Sequence, residues 1–141
     1  AYTIACRLSA QFAAVAVVSS ALRGSCTTSH PVSELLIYGS QEESLASGNP
    51  VTGFPSAAQI TAHWRQIDRC RSASPSTVTT VGPVVQKAWK GCAGGSAVSL
   101  YTVQGGTHFW PGQSGGTGPD APGQYNASDA VWAFFAAHAA Q

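Results

Sequence analysis

Apolar positions along the chain predict a series of buried strands. The run from Phe12 to Val18 is continuously apolar and rich in β-branched residues, as in a strand covered on both faces of a parallel sheet. Residues 35–38 form a second short apolar run, which ends at Gly39. Residues 97–103 alternate apolar and polar side chains, which indicates a strand nearer a sheet edge. Residues 84–90 are a further candidate strand.

Helical spacing of apolar residues predicts three helices between these strands. Residues 1–10 have this spacing and begin without an N-cap, which predicts that Ala1 lies within a helix and not at its start. Residues 56–69 open with Ser56 and Gln59, a capping-box pair. Asn126 is the expected N-cap of a last amphipathic helix of roughly 14 residues. The predicted connections are residues 19–33, 39–55, 72–83 (a loop or an irregular edge strand) and 109–125.

This order of elements predicts an α/β fold with a mostly parallel sheet and flanking helices. At 141 residues the chain is expected to be a single domain, residues 1–141. Because it starts without Met and inside a predicted helix, we expect a processed chain or a piece of a longer protein.

Charge and hydropathy exclude two classes of partner. Charged residues make up 9% of the chain and the net charge is +1, so binding that depends on neutralising phosphates is not expected. No apolar run approaches the roughly 18 residues of a membrane span. We therefore predict neither a nucleic-acid partner nor a membrane partner.

The four cysteines predict two disulfides. Cys6, Cys26, Cys70 and Cys92 lack the short spacings of a zinc site, so no metal is expected. Three pairings are possible, and Cys6–Cys26 with Cys70–Cys92 is favoured because each pair closes a short loop. Each bond would add about 3 kcal/mol and would indicate an oxidising, secreted setting. Four free thiols in a cytosolic protein are the alternative.

Residues that directly follow the predicted strands are candidates for chemistry. In open α/β sheets ligands bind beyond the carboxyl ends of the strands. Glu42 and Glu43 follow the second strand, and His108 follows the last one. An acid and then a histidine match the last two members of a triad in the order Ser, Asp or Glu, His.

The serine of such a triad has no evident candidate in the chain. It would sit in a G-x-S-x-G turn between a strand and a helix. Ser114 lies in the one literal match, Gly112–Gly116, but that loop follows His108 and no predicted strand or helix flanks it. An unusual small hydrolase that uses Ser114 or another internal serine stays a weaker hypothesis.

Several segments of the chain form a recognisable ordered pattern. The sharpest is Gly105-Gly-Thr-His-Phe-Trp-Pro-Gly112, a G-G-x-H-x-W-P-G motif. The others, in chain order, are residues 2–18, residues 35–40, Trp64 with Cys70, residues 89–92 and residues 131–135. Together these segments resemble the carboxyl-terminal half of the polyhydroxybutyrate depolymerase and feruloyl esterase family of α/β-hydrolases. The resemblance implies that the chain is part of an α/β-hydrolase fold.

The resemblance also implies roles for single residues. His108 would be the catalytic base, and the register of the family's acid falls on Glu42 where the family usually has Asp. Because Glu carries an additional methylene of about 1.5 Å, Glu43 is an alternative acid. Apart from the resemblance, Trp110 follows His108 by two residues in a glycine-rich loop, so it is a candidate to stack against a substrate ring or sugar. No cofactor is implied.

The implied function is serine-type hydrolysis of carboxylic esters, either polyesters or feruloylated and acetylated plant polysaccharides. The chain lacks the nucleophile turn and both oxyanion donors of the family, so the isolated chain is predicted to be inactive. The alternative is a non-catalytic binding or structural remnant of the fold. Because the strand at 12–18 would have an open apolar edge, we expect an upstream segment carrying the serine, a homo-oligomer or poor solubility.

Overall fold

The computed structural model describes residues 1–139, and Ala140 and Gln141 lie outside the described residues. Its strands are β1 (Ala14–Val18), β2 (Ser33–Gly39), β3 (Thr77–Val81), β4 (Val84–Trp89) and β5 (Val98–Val103). Its helices are α1 (Tyr2–Arg7), α2 (Glu43–Ala46), α3 (Ala57–Ile67) and α4 (Ala127–Ala137). Short 3-10 turns occur at Ala93–Gly95 and Gly118–Asp120.

The five strands form one mixed sheet in the order β1-β2-β5-β4-β3. The expectation that residues 97–103 form a strand nearer an edge is wrong, because β5 is the central strand and pairs with both β2 and β4. β1 and β5 are both parallel to β2, whereas β4 is antiparallel to both of its neighbours, β5 and β3. The expected fold, a partial α/β-hydrolase with a mostly parallel sheet and flanking helices, is therefore wrong. Half of the strand pairs are antiparallel, and α1 and α2 have only 6 and 4 residues.

Connection lengths explain the antiparallel half of the sheet. Only Gly82 and Pro83 separate β3 from β4, and only residues 90–97 separate β4 from β5. A parallel neighbour requires a crossover of about a dozen residues or more, so neither connection allows one. All five residues of β3 are exposed and polar or β-branched, which is why their sequence also suited a loop.

Both faces of the sheet carry a hydrophobic cluster. On one face Leu36 and Val98 pack with Ile60 and Trp64 of α3. On the other face Leu35 and Ile37 belong to a cluster with Phe134 of α4. The predicted capping box of α3 is confirmed, because Ser56 Oγ accepts from Gln59 N and Gln59 Oε1 accepts from Ser56 N. β2 is thus buried on both sides, which fixes its position in the sheet.

Two disulfides join elements that are distant in sequence. The pairs are Cys6–Cys26 and Cys70–Cys92, the pairing favoured above, and no described cysteine is free. The first ties α1 to the loop before β2, and the second ties the end of α3 to the segment after β4. These bonds are compatible with an oxidising extracellular setting. Within residues 1–139, no helix combines the length and apolar character that crossing a bilayer requires.

Two acidic side chains are buried beside the first cluster. Glu34 of β2 is fully buried and accepts a hydrogen bond from the Tyr2 hydroxyl at 2.7 Å. Asp68 ends α3 and accepts a bond from the Val32 amide at 3.3 Å. Burial raises the pKa of Glu34 from 4.5 to about 8, and Asp68 nearby adds to the rise. Burial likewise raises the pKa of Asp68 from 3.8 to about 6.

We predict that the folded chain is most stable in mild acid. Between pH 4.5 and about pH 8 folded Glu34 keeps a proton that the unfolded chain releases, so the free energy of unfolding falls as pH rises across that range. The loss should be on the order of a few kcal/mol and should be measurable by urea unfolding with the disulfides intact. Glu34→Gln, which keeps an acceptor for Tyr2, should flatten the profile, whereas the exposed Glu43→Gln should not. An unchanged slope in Glu34→Gln would contradict this assignment.

Candidate functional site

The candidate site lies where β2 and β5 end. The two strands are parallel neighbours with Gly39 opposite Val103, so both chains leave the sheet at the same edge. Beyond the last strand pair, the backbone amide of Ser40 donates to Val103 O and that of Gln41 donates to Gly106 O, each at 2.9 Å. These bonds hold the two connections side by side after the strands have ended.

The missing side chain of Gly39 allows this close approach. A Cβ at Gly39 would overlap the backbone of Gly106 and Thr107, so no larger residue fits there without moving the loop. A Cβ at Gly106 would lie 2.9 Å from the Val103 side chain and 3.0 Å from Asp120 Oδ1. Gly39 is therefore required by steric contact between the two connections, whereas Gly106 is required by packing within β5 and the loop that follows it.

Glu42 is held by a short turn that follows β2. Its amide donates to Gly39 O at 2.9 Å, and its carbonyl accepts from the Leu45 and Ala46 amides at the start of α2. Leu45 is fully buried and anchors this turn in the first cluster. The side chain of Glu42 is consequently buried, whereas Glu43, the first residue of α2, is exposed.

His108 is positioned by the loop after β5. Gly105 takes a positive φ of 74°, which turns the chain out of the strand. Beyond this turn, the loop is held by Asp120, which is buried. Asp120 Oδ2 accepts from the Thr107 amide at 2.9 Å and from the Thr107 hydroxyl at 3.1 Å. Asp120 therefore fixes the residue directly before His108.

The two connections bring His108 and Glu42 into a direct hydrogen bond. His108 Nδ1 lies 2.6 Å from Glu42 Oε1, within hydrogen-bonding distance. The Glu42 side chain is 4% exposed and that of His108 is 73% exposed. The buried Glu42 carboxylate thus bonds to the Nδ1 edge of an imidazole ring that is otherwise largely open to solvent.

This geometry suits a general base. When Nδ1–H donates to a carboxylate, the neutral ring carries its lone pair on Nε2. The His108 Nε2 atom has no hydrogen-bond partner in the described part of the chain, so it is free to take a proton from a nucleophile. Glu42 would fix the tautomer and stabilise the imidazolium that forms. The second oxygen, Glu42 Oε2, is buried and also has no partner among residues 1–139.

Trp110 is held in place by α4. Its indole N–H donates to Ser128 Oγ of α4 at 3.1 Å, and the ring lines a shallow cleft of about 410 Å³ with residues that include Gly112 and Asn126. No hydrogen bond joins it to His108 or Glu42. Ser114 is exposed in the same loop, between turns and without a strand before it.

The remaining histidines have other partners. His63 Nε2 contacts the carbonyl of Cys26 at 3.0 Å, and His30 Nδ1 contacts Ser29 Oγ at 3.1 Å. His138 packs on the Phe134 ring at 4.5 Å between centroids. Across residues 1–139 no group of three or more His, Cys, Asp or Glu side chains is arranged to hold a metal ion.

Sequence reasoning found His108 and Glu42 and missed the residues that position them. Asp120 lies in a Gly- and Pro-rich segment, where an acidic residue looks like an ordinary exposed loop side chain. Its burial within a one-turn 3-10 helix depends on the fold of the whole loop. The signal that could have drawn attention to Gly39 is that a glycine ends the apolar run three residues before the candidate acid.

Comparison of the chain with protein-family models found no family that matches, and comparison with curated proteins found no match either. The site is therefore interpreted from its own geometry and from the sequence motif that contains His108.

We predict that Gly39→Ala disrupts the site more than a glycine substitution elsewhere. Its methyl group would collide with the Gly106 backbone, so we expect a loss of about 2 kcal/mol or more in urea unfolding. Gly24→Ala is the control, because its φ of 77° strains an alanine while nothing lies within 4 Å of the added Cβ. That change should cost about 1 kcal/mol. Equal losses in the two variants would contradict the role given to Gly39.

Proposed function

We propose that this chain supplies the base and the acid of a serine-type carboxylic-ester hydrolase, and that a segment outside these residues supplies the nucleophilic serine. The observation that carries the proposal is the 2.6 Å bond between His108 Nδ1 and a nearly completely buried Glu42, with Nε2 directed away from that bond. Glu42 is the proposed acid, and Glu43 is set aside because its side chain is exposed.

The proposed reaction has two steps. In the first, His108 Nε2 takes the proton of the serine hydroxyl as its oxygen attacks the ester carbonyl, and then returns that proton to the departing alcohol. In the second, Nε2 takes a proton from water, which attacks the acyl-enzyme, and returns it to the serine as the acid leaves. Glu42 stays ionised and stabilises the imidazolium in both steps.

The class of substrate is inferred from sequence resemblance. The G-G-x-H-x-W-P-G segment around His108 resembles the polyhydroxybutyrate depolymerase and feruloyl esterase family, whose substrates are polyesters and plant-wall esters. The two disulfides support secretion of the protein into the oxidising extracellular space, which is where such polymers occur. No cofactor takes part in the proposed steps.

The missing serine calls for a partner segment. Among residues 1–139 no hydroxyl is hydrogen-bonded to His108, and β1 is an edge strand whose pairing groups on one side are unused. Either a segment upstream of Ala1 or a second copy of the chain would cover this edge, and the proposed upstream segment would also bring the serine.

A non-catalytic module is the second candidate. It is favoured by the absence of a serine beside His108 in residues 1–139 and by the exposed Trp110 in its cleft. Affinity for the polymer without turnover would distinguish it from the hydrolase.

We predict that hydrolysis appears only when the upstream segment is present. The 141-residue chain should not hydrolyse p-nitrophenyl butyrate, whereas the chain extended by its upstream coding segment should be active and be labelled at one serine by a fluorophosphonate. In the extended protein, His108→Ala and Glu42→Gln should lower kcat by roughly 10³-fold to 10⁴-fold.

Two matched variants control this experiment. Glu43→Gln alters the neighbouring exposed carboxylate, and Ser114→Ala removes the serine of the loop motif; both should keep nearly full activity. If Glu43→Gln is as damaging as Glu42→Gln, the acid is misassigned. If no serine is labelled in the extended protein, or if the 141-residue chain is active and Ser114→Ala abolishes that activity, the proposal fails.

A further inference from the structure

A groove of about 900 Å³ lies between α4 and the antiparallel half of the sheet. α4 packs over β1 and β2, and this leaves the same face of β3, β4 and β5 without a helix above it. The volume is within the range of roughly 300–1,000 Å³ that is usual for ligand sites. The groove is separate from the pair formed by Glu42 and His108, neither of which lines it.

The floor of the groove consists of two cross-strand rows of mostly polar side chains. Strand register places these residues opposite one another on β3, β4 and β5, and side chains two apart on a strand share a face. The rows are Thr77, Ala88 and Ser99, and Thr79, Gln86 and Tyr101. The floor thus carries hydroxyl, amide and phenol groups. Thr79 Oγ1 donates to Gln86 Oε1 at 3.4 Å, which leaves the Gln86 amide N–H groups to donate to a ligand and the Thr79 oxygen to accept from one.

The walls of the groove are close to neutral. Asp129 of α4 and Lys90 after β4 are the carboxylate and the ammonium among the lining residues, one of each sign. His138 lines the same end as Lys90, and burial together with that cation lowers the pKa of its imidazole. Such a groove has no net attraction for a phosphate, a nucleic acid or a strongly acidic ligand.

Two tyrosines give the groove flat apolar surface, although the Tyr125 hydroxyl is itself buried. Tyr101 is half-buried in the floor, and Tyr125 lines the wall where α4 begins. A tyrosine ring presents a flat apolar face together with a hydroxyl. A sugar ring has the complementary properties, with C–H groups on its faces and hydroxyls at its rim.

From this match we infer that the groove binds a neutral polysaccharide, with the sugar hydroxyls bonded to Thr79 and Gln86 and a ring lying against Tyr101. An aliphatic polyester fits less well, because it carries ester carbonyls and no hydrogen-bond donors. Thr and Gln side chains would then lose water without regaining all of their bonds.

The groove continues toward the loop that carries His108. Asn126, the N-cap of α4, lines both the groove and the cleft that contains Trp110. A polymer chain bound along the groove would therefore leave it beside Trp110, two residues after His108. Saccharide binding does not require the proposed hydrolase activity, but it would hold a polymer near that site.

The inference is tested by titrating the 141-residue chain with xylohexaose and with cellohexaose. Amide NMR shifts should change at Thr79, Gln86 and Tyr101, with smaller changes near Trp110. The variant Thr79→Val with Gln86→Ala removes two bonding groups from the floor and should weaken binding by about tenfold.

A matched variant makes the changes outside the groove. Thr80→Val with Gln66→Ala alters the opposite face of β3 and an exposed position of α3, and should bind as the unaltered chain does. The inference is overturned if neither hexasaccharide binds, if both double variants bind equally, or if hydroxybutyrate oligomers shift the groove amides while the sugars do not. Because ester cleavage is not measured, these outcomes are distinct from failure of the hydrolase proposal.

Discussion

The contact between the connections that follow β2 and β5 determines the geometry of the candidate site. Parallel pairing brings both chain exits to one edge, and the missing side chain of Gly39 lets its backbone touch that of Gly106. Glu42 then lies under the exposed imidazole of His108, three residues beyond Gly39 in the chain. The two residues are 66 positions apart in sequence, so only the packing of the two connections brings them together. Their hydrogen bond therefore depends on this steric fit.

The site could be predicted from sequence because its residues follow strands with clear apolar patterns. The runs at Phe12–Val18 and Leu35–Tyr38 correspond to β1 and β2, and residues 97–103 to β5. These three strands form the parallel part of the sheet, for which the prediction of neighbouring strand ends was correct. Choosing between Glu42 and Glu43 required coordinates, because a turn of helix buries one and exposes the other.

The antiparallel half could not be predicted in the same way. β3 consists of Thr and Val residues that are all exposed, so no burial pattern marks it as part of a sheet. Its direction follows from the turn at Gly82 and Pro83, and the sequence there also suited a loop. This hairpin makes the sheet mixed, and it also creates the face on which the groove lies. Asp120 escaped prediction because its burial depends on contacts made by a loop without regular structure.

The account is tested most directly by the protonation of the His108 ring in the 141-residue chain. Nitrogen-15 NMR shifts of Nδ1 and Nε2, measured at a pH at which the ring is neutral, report which nitrogen carries the proton. The bond to Glu42 predicts the Nδ1–H tautomer, with a strongly downfield Nδ1 proton and an unprotonated Nε2. An Nε2–H tautomer, as is favoured by a free imidazole in water, would contradict the account.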